Sequence, residues 1–436
     1  MSKRYVISGI GNRAHSWLKS ASGDYGDVAT IVGLCDPVPE RVEEAIASYG
    51  LSSARGYTSF LQMLEETRPD TAIIVTPERY HARQIIAALE RGCDVATEKP
   101  LCLSVAECEA IVAAEKRAGR RICMGFNYRH IPLASRVREL LLSGEIGRPV
   151  SVDLTWYLDY RGHGASYFRR WHRHMAESGG LLVTKATHHF DLVNWWMDAR
   201  PQRVYARGRQ NFFGPGNNPY TGERCSTCAH GTECDWYTPV NAQAPDYEKL
   251  SQELGYRVRG VANYPRDFCP FGDDVDIYDT MGVMVEYAGG GILNYSLNAG
   301  VPFEGWNLAI NGTGGRLETR ITDAKPDPDG AARYKVLSRE GRRQSEEHFR
   351  IVEWPDHYRI LVMPHEGAAR WIDVPNILLG HGGGDWALFE SLFRGTTRED
   401  PLGAFAGAVD GAWSVAIGAA ANESIATGQP VALPVF

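Results

Sequence analysis

"RYVISGIGNRAHSWLK", residues 4–19, passes from an apolar strand-forming run through a glycine turn into helix-forming residues. Gly9, Gly11 and Ala14 fall on the pattern G-x-G-x-x-A. The first glycine permits the tight turn, the second lets a pyrophosphate approach the backbone, and the small third residue lets helix and strand pack closely. Asn12 and Arg13 open the helix whose positive end would meet the phosphates. The following strand, "VATIVGLCD", ends in Asp36, a carboxylate placed to accept from ribose hydroxyls and to repel a 2′-phosphate, which favours NAD over NADP.

Outward from this unit, the strand-like runs "TAIIVTP", "DVATEKP" and "RICMGFNYR" alternate with helical ones such as "RYHARQIIAALERG". Such alternation predicts a doubly wound parallel Rossmann sheet over residues 1–127, with ligands at the carboxyl ends of the strands. Thr76, Pro77, Glu98, Lys99 and Asn127 stand at such ends, with His81 just beyond. From "VSVDLTWYLD" onward, long alternating segments ("TMGVMVEYAGGGILNYSLNAG", "GWNLAINGTGGRLETR", "ARYKVLSR") predict a large open, mainly antiparallel sheet in an α+β domain over residues 128–436. An alanine-rich closing helix is expected to pack back on the body.

The chain has 436 residues and a net charge of -7, with 44% hydrophobic and 23% charged residues, so it can bury a sizeable core. That charge argues against a general nucleic-acid binder, while a local basic patch could still hold an anionic small molecule. No apolar run reaches a membrane span or a signal peptide, so the expectation is a cytoplasmic protein with no membrane partner. Nine cysteines do not form a secreted disulfide framework. Four of them, Cys225, Cys228, Cys234 and Cys269, have a spacing close to that of a structural zinc site stapling an insertion at residues 211–273.

"GIGNRA", "CDP", "TPERYHA" and above all "EKPL" resemble the Gfo/Idh/MocA oxidoreductases, the family of glucose–fructose oxidoreductase and inositol dehydrogenase. The resemblance implies NAD(P)-dependent oxidation or reduction of a sugar or cyclitol hydroxyl, with Lys99 contacting both nicotinamide ribose and substrate. In "GGLLVTKATHHFDLVNWW", residues 179–196, the frame Gly179-Gly180 and His188-x-x-Asp191 is kept, so His188 matches the catalytic histidine. Thr184 replaces the usual aspartate and Ala186 the usual glycine. Lys185 is added.

If this stretch is helical, Lys185, His188 and His189 share a face. Histidine suits a base near neutral pH, and two lysines flanking one oxygen would stabilise an alkoxide, each lowering the other's pKa. The assignment is His188 as base, Lys99 and Lys185 as polarising groups, and His189 as a substrate or supporting group. Just upstream lies a basic, aromatic cluster holding Arg161, His163, Arg169, Arg170, Trp171, His172, Arg173 and His174. It is a solvated loop, a subunit interface or an anion clamp. Arg129, Tyr157, Arg169, Trp171, His172, Lys185 and His189 are the substrate-binding candidates.

"K-x-x-H-H" with this basic stretch also resembles NAD-dependent glycosidases, including sulfoquinovosidases. These oxidise a ring hydroxyl, usually at C3, eliminate the aglycone, add water and return the hydride. Three functions therefore stand: redox-neutral cleavage of a neutral or sulfonated glycoside, simple NAD-dependent sugar or inositol oxidation, and a non-catalytic NAD sensor. The family resemblance also implies a homo-oligomer, dimer or tetramer, paired through the exposed sheet face.

Overall fold

A computed structural model describes residues 2–160, 162–231, 233–237, 267–323, 357–377, 380–395 and 400–436. Six parallel strands form the first sheet: β1 (Lys3–Ser8), β2 (Ala29–Cys35), β3 (Arg55–Tyr57), β4 (Thr71–Ile74), β5 (Asp94–Thr97) and β6 (Ile122–Met124), in the order β3-β2-β1-β4-β5-β6. Tyr5, Val6 and Ile7 of β1 are wholly buried, as a central strand covered on both faces requires. Helices α1 (Asn12–Lys19), α2 (Pro39–Ser48), α3 (Phe60–Thr67), α4 (His81–Glu90) and α5 (Val105–Ala118) make the crossovers. A reciprocal Ser104–Glu107 capping box starts α5, and Gly119 at φ 61° stops it. The strand order reverses between β1 and β4, which opens the ligand crevice there.

After α6 (Pro132–Leu142) the second sheet begins with β7 (Pro149–Asp159). Short helices α7 (His163–Phe168), α8 (Met175–Ser178) and α9 (Gly180–Thr184) lead into α10 (Thr187–Met197). The remaining strands are β8 (Pro201–Arg209), β9 (Thr280–Tyr287), β10 (Ile292–Val301), β11 (Glu304–Gly312), β12 (Gly315–Asp323), β13 (His357–Pro364), β14 (Arg370–Pro375) and β15 (Val431–Ala432). Their order is β14-β13-β12-β11-β7-β10-β9-β8-β15, antiparallel except for the β7–β10 pair. Along β9 every second residue is buried, the pattern of a sheet with one packed face. The "ARYKVLSR" segment and the middle of the 211–273 insertion lie outside the described residues.

Two later helices close the molecule. The alanine-rich α12 (Ala408–Thr427) is buried between the two sheets, with Ala412 and Val415 in the core of the first and Ile417 and Ala420 in the core of the second. Its approach is close enough that a Cβ on Gly418 would sit 2.3 Å from the Leu182 carbonyl oxygen. The other, α11 (Gly384–Arg394), is absent from the sequence expectation. It inserts Phe389 and Phe393 against Tyr5, Trp17 and Tyr25 of the first domain.

Candidate active site

At the β1 end, Gly9 has φ 90°, and a Cβ there would lie 2.7 Å from the Thr76 nitrogen, so only glycine fits. A Cβ on Gly11 would meet nothing within 4 Å, leaving open space before the first turn of α1, whose Asn12 and Arg13 follow directly. Ala14 is fully buried against the sheet. Asp36 closes the other side: its carboxylate accepts from Ile10 N at 2.8 Å and Val38 N at 3.0 Å, with Arg41 3.6 Å away. This glycine cradle over a helix start, with an acidic strand end beside it, fits a dinucleotide.

Several residues expected at the cofactor also hold one another. Arg13 pairs with Glu98 at 2.5 Å and makes two bonds to Asp385 of α11, at 2.9 and 2.7 Å. Asn127 donates to the same Asp385 carboxylate at 2.7 Å, and its Oδ1 is buried with no hydrogen-bond partner among the described residues. That acceptor is open to a carboxamide. Thr76 and Pro77 lead from β4 into a 3-10 turn, Glu78–Tyr80. His81 joins the β4 end to the Lys99-Pro100 turn, its ring nitrogens 2.8 Å from Thr76 O and 2.7 Å from Pro100 O.

Lys99 and the opening of α10 meet. Lys99 Nζ donates to the Thr184 carbonyl at 3.0 Å. Lys185 Nζ lies 3.3 Å from the Tyr128 hydroxyl and 5.5 Å from both the Tyr128 and the Trp156 ring centroids. The His188 ring stacks on Tyr128 at 4.1 Å, and His189 stacks on Trp156 at 3.6 Å while its Nδ1 meets the Tyr295 hydroxyl at 2.7 Å. The Lys185 ammonium and two imidazoles thus line one aromatic shelf, with Lys99 joined to the same segment through Thr184.

Burial, then the Lys185 charge, bring Lys99 down to about 8. Burial opposes the charge of Lys185 too, yet the Tyr128 and Tyr167 hydroxyls and Glu304 hold it above the ordinary lysine value. The expectation that each lysine lowers the other therefore holds for Lys99 alone. Burial, reinforced by Lys185 and Lys99, keeps His189 neutral.

Glu78 was not foreseen. It stands in the turn after β4 and is buried between the domains. It accepts from Thr184 Oγ1 at 2.8 Å and Trp171 Nε1 at 3.2 Å, and lies 3.2 Å from His172 Nε2. Burial opposes its ionisation, but His172 and these donors hold the carboxyl well below the usual range. His163, near Lys185, sits 2.8 Å from Glu304 and 3.1 Å from the Tyr167 hydroxyl.

Other expectations are corrected. Arg129 is a buried strut, spent on Asp191 at 2.6 and 2.8 Å, Asp410 at 2.8 Å and the Gly403 carbonyl. Arg169 is turned into the insertion, donating to Cys225 Sγ, Phe268 O and Trp236 O. Arg173 pairs with Asp274. Of the basic cluster, Arg170 is held by Ser166, 6.0 Å from the Tyr167 ring centroid, with its charge felt by His163 and His172, and Arg161 lies outside the described residues. Tyr157 faces the other side of β7, against Phe303 and Asn307, and the preceding Trp156 faces the shelf.

The family model for the NAD-binding Rossmann fold of the Gfo/Idh/MocA oxidoreductases matches residues 3–126, and the model for the family's C-terminal alpha/beta domain matches residues 138–433. The chain belongs to the Gfo/Idh/MocA family. YteT of Bacillus subtilis strain 168, named as an oxidoreductase, is 34% identical over 99% of this chain and 98% of its own. The NAD(+) scyllo-inositol 2-dehydrogenase of the same organism is 28% identical over 42% of this chain and 50% of its own. In fold, the WlbA dehydrogenase of Bordetella pertussis, solved with NADH and UDP-GlcNAcA, is similar at a TM-score of 0.64, 17% identity and full coverage of both chains.

The Thr184 hydroxyl donates to the Glu78 carboxylate brought in from the other domain. The four late cysteines are free thiols around one pocket. The expected structural zinc gains no support. Among the described residues no three His, Cys, Asp or Glu side chains are disposed to hold a metal, and the Cys225 sulfur already accepts from Arg169. No helix among the described residues is long and apolar enough to cross a membrane.

Proposed function

We propose that this family member oxidises a ring hydroxyl of a sugar or cyclitol with NAD. The observation that carries the proposal is the Lys99–Thr184 contact, which joins the strand-end lysine of the cofactor domain to the segment bearing Lys185 and His188. NAD+, when bound, accepts the hydride. Gly9, Gly11, Asn12, Ala14 and Asp36 would hold it, with Arg13, Glu98, Thr76 and Asn127 shaping the cradle. Lys185, charged, holds the substrate oxygen, and Lys99 donates to it from the cofactor side. His188 takes the hydroxyl proton. Tyr128 and Trp156 hold the two imidazoles in place by stacking on them.

Relatives named as inositol dehydrogenases and a fold neighbour solved with a nucleotide sugar support this substrate class. A purely sensory role leaves unexplained why a buried Lys185 and a half-buried Lys99 share one segment against their mutual repulsion and solvation cost. Redox-neutral glycoside cleavage shares the first step, and one observation, the Glu78–His172 pair, favours it as a second reading. An anionic, sulfonated substrate has Arg170 left to meet it, since Arg129, Arg169 and Arg173 are spent within the protein. A homo-oligomer through the outer sheet face, where Tyr205, Met284 and Ile292 are exposed, accompanies the proposal, and sedimentation equilibrium tests it.

The purified protein, incubated with NAD+ and a panel of myo-inositol and methyl α- and β-glycosides, is expected to produce NADH with at least one of them. Chromogenic glycosides separate the two readings. Stoichiometric NADH without aglycone release marks the dehydrogenase; aglycone release without NADH accumulation marks the glycosidase. No reaction in the presence of bound NAD overturns both.

A further inference from the structure

The late cysteines take no part in the oxidation proposal, yet the fold gathers them. Arg224 and Phe268 form an antiparallel bridge, flanked by Cys225 N donating to Asp267 O at 2.8 Å and Cys269 N donating to Glu223 O at 3.0 Å. The Asp267 carboxylate fastens it, accepting from Arg224 Nη2 at 2.7 Å and Ser226 N at 3.0 Å. Cys225 then opens a 3-10 turn, Cys225–Thr227, closed by Cys228 N donating to Cys225 O at 3.2 Å. Such a turn has three residues per turn and rises about 2 Å per residue, so side chains three apart lie one above the other with Cα atoms about 6 Å apart. A disulfide spans about 4.4–6.8 Å between Cα atoms. The turn therefore holds Cys225 and Cys228 at a spacing that a disulfide bridges.

Access and charge set this pair apart. Cys228 is half-buried on the wall of the pocket it shares with Tyr220, Trp236 and Tyr237, within reach of a small reagent, whereas Cys225 is 8% exposed. Cys225 Sγ accepts from Arg169 Nη1 at 3.4 Å, and Nη2 of the same guanidinium is fixed on Trp236 O at 2.7 Å. A guanidinium on a sulfur stabilises the negative charge which that sulfur carries when it attacks or leaves. A reachable thiol one turn away from a second thiol facing a fixed cation is suited to thiol–disulfide exchange. The sulfurs of Cys102 and Cys108 are 3.3 Å apart, but both residues are wholly buried in the core of the first sheet and out of reach of a reagent. Exchange needs only two converging sulfurs, and no three metal-donor side chains converge among the described residues.

We infer that Cys225 and Cys228 form a thiol–disulfide exchange site that reacts with low-molecular-weight disulfides, with Arg169 as its electrostatic partner. Cys228, as the thiolate, attacks one sulfur of a disulfide RSSR. The S–S bond breaks, a mixed disulfide forms on Cys228, and the first RS⁻ leaves. Cys225 gives up its proton, attacks the Cys228 sulfur and expels the second RS⁻, with Arg169 stabilising the Cys225 thiolate as it attacks. The two protons of the protein dithiol end on the two released thiolates. The dithiol is oxidised by two electrons to one disulfide, and RSSR is reduced to two RSH. Excess thiol drives the same steps backward. The inference does not depend on the ring-oxidation proposal, and the failure of either leaves the other standing.

The test is differential alkylation of the full-length protein, read by tandem mass spectrometry before and after exposure to oxidised glutathione, with metal content measured first. The wild type is expected to lose two thiols, those of Cys225 and Cys228, and to regain both with dithiothreitol. Cys225→Ser cannot resolve the mixed disulfide and should trap one glutathionyl group on Cys228. Cys228→Ser should react at Cys225 at least about tenfold more slowly, and Cys234→Ser should form the Cys225–Cys228 bond at the wild-type rate. Arg169→Met should prolong the mixed disulfide about tenfold. The wild-type map decides the matter even where a variant does not fold. A bond between any other pair, no loss of thiols, or the same exchange rate in Cys228→Ser as in the wild type overturns the inference. So does one zinc ion per chain with all four late thiols protected, which would make the cluster a metal site.

Discussion

Lys99 is the residue on which most turns. Its side chain is half-buried, feels the charge of Lys185 and has its pKa brought down to about 8. As the donor to substrate oxygen it must be charged, so kcat/KM for oxidation is expected to fall as pH rises through about 8; a rise through that pH would make Lys99 the base instead. The same shift has a stability sign. The folded-state pKa lies below the unfolded one, so between about 8 and 10.5 the unfolded chain binds more protons and stability rises with pH. Below that window the buried charge costs its full amount. Lys99→Met should therefore gain on the order of 2 kcal/mol at neutral pH while losing turnover, seen as a higher urea midpoint beside absent NADH formation. A stability loss would mean that Lys99 is a structural strut. Lys99 was legible because "EKP" ends a strand pattern. Glu78 was not: its role comes from Thr184, His172 and Trp171, about a hundred residues away, and no local period announces such a meeting.

Among the elements, β7 is the most instructive. An alternating strand sends neighbours to opposite faces, so a one-residue choice decides which aromatic reaches the site. The sequence reading chose Tyr157, and Trp156 is the one that faces Lys185 and His189. Trp156→Leu is expected to lower kcat/KM by roughly tenfold or more through loss of the stacking face, with Tyr157→Leu changing it little; steady-state kinetics of both separates the two faces. α10 begins at Thr187, three residues after the expected start near Thr184, so Lys185 precedes the helix that carries His188 and His189, and Arg129 and Arg169, offered as substrate partners, are turned into the protein. Arg129 braces α10 through Asp191 and α12 through Asp410. Arg129→Ala leaves Asp191 buried without its cation and is expected to cost about 3–5 kcal/mol, measurable by urea unfolding. A cost near zero would free Arg129 for another role.

Across the whole molecule, the parallel sheet with its glycine cradle and the broad second sheet were legible, because strand–helix alternation and period-two patterning are local signals. The docking of α11 was not, since nothing near "GGGDWALFESLF" points to the first domain. Its Asp385 holds Arg13 and Asn127 together at the cofactor side. Asp385→Asn is expected to raise the KM for NAD roughly tenfold through weakened charge-assisted hydrogen bonds, with kcat little changed. The cysteine spacing was also legible, but spacing does not determine whether sulfurs converge on a metal. The account as a whole requires that Lys99 and His188, from different domains, act on one substrate carbon beside NAD. Single-turnover absorbance of bound nicotinamide with an accepted sugar or cyclitol tests this most directly. At saturating NAD, Lys99→Met and His188→Ala should each fail to reduce the bound nicotinamide; wild-type reduction by either variant would contradict the account.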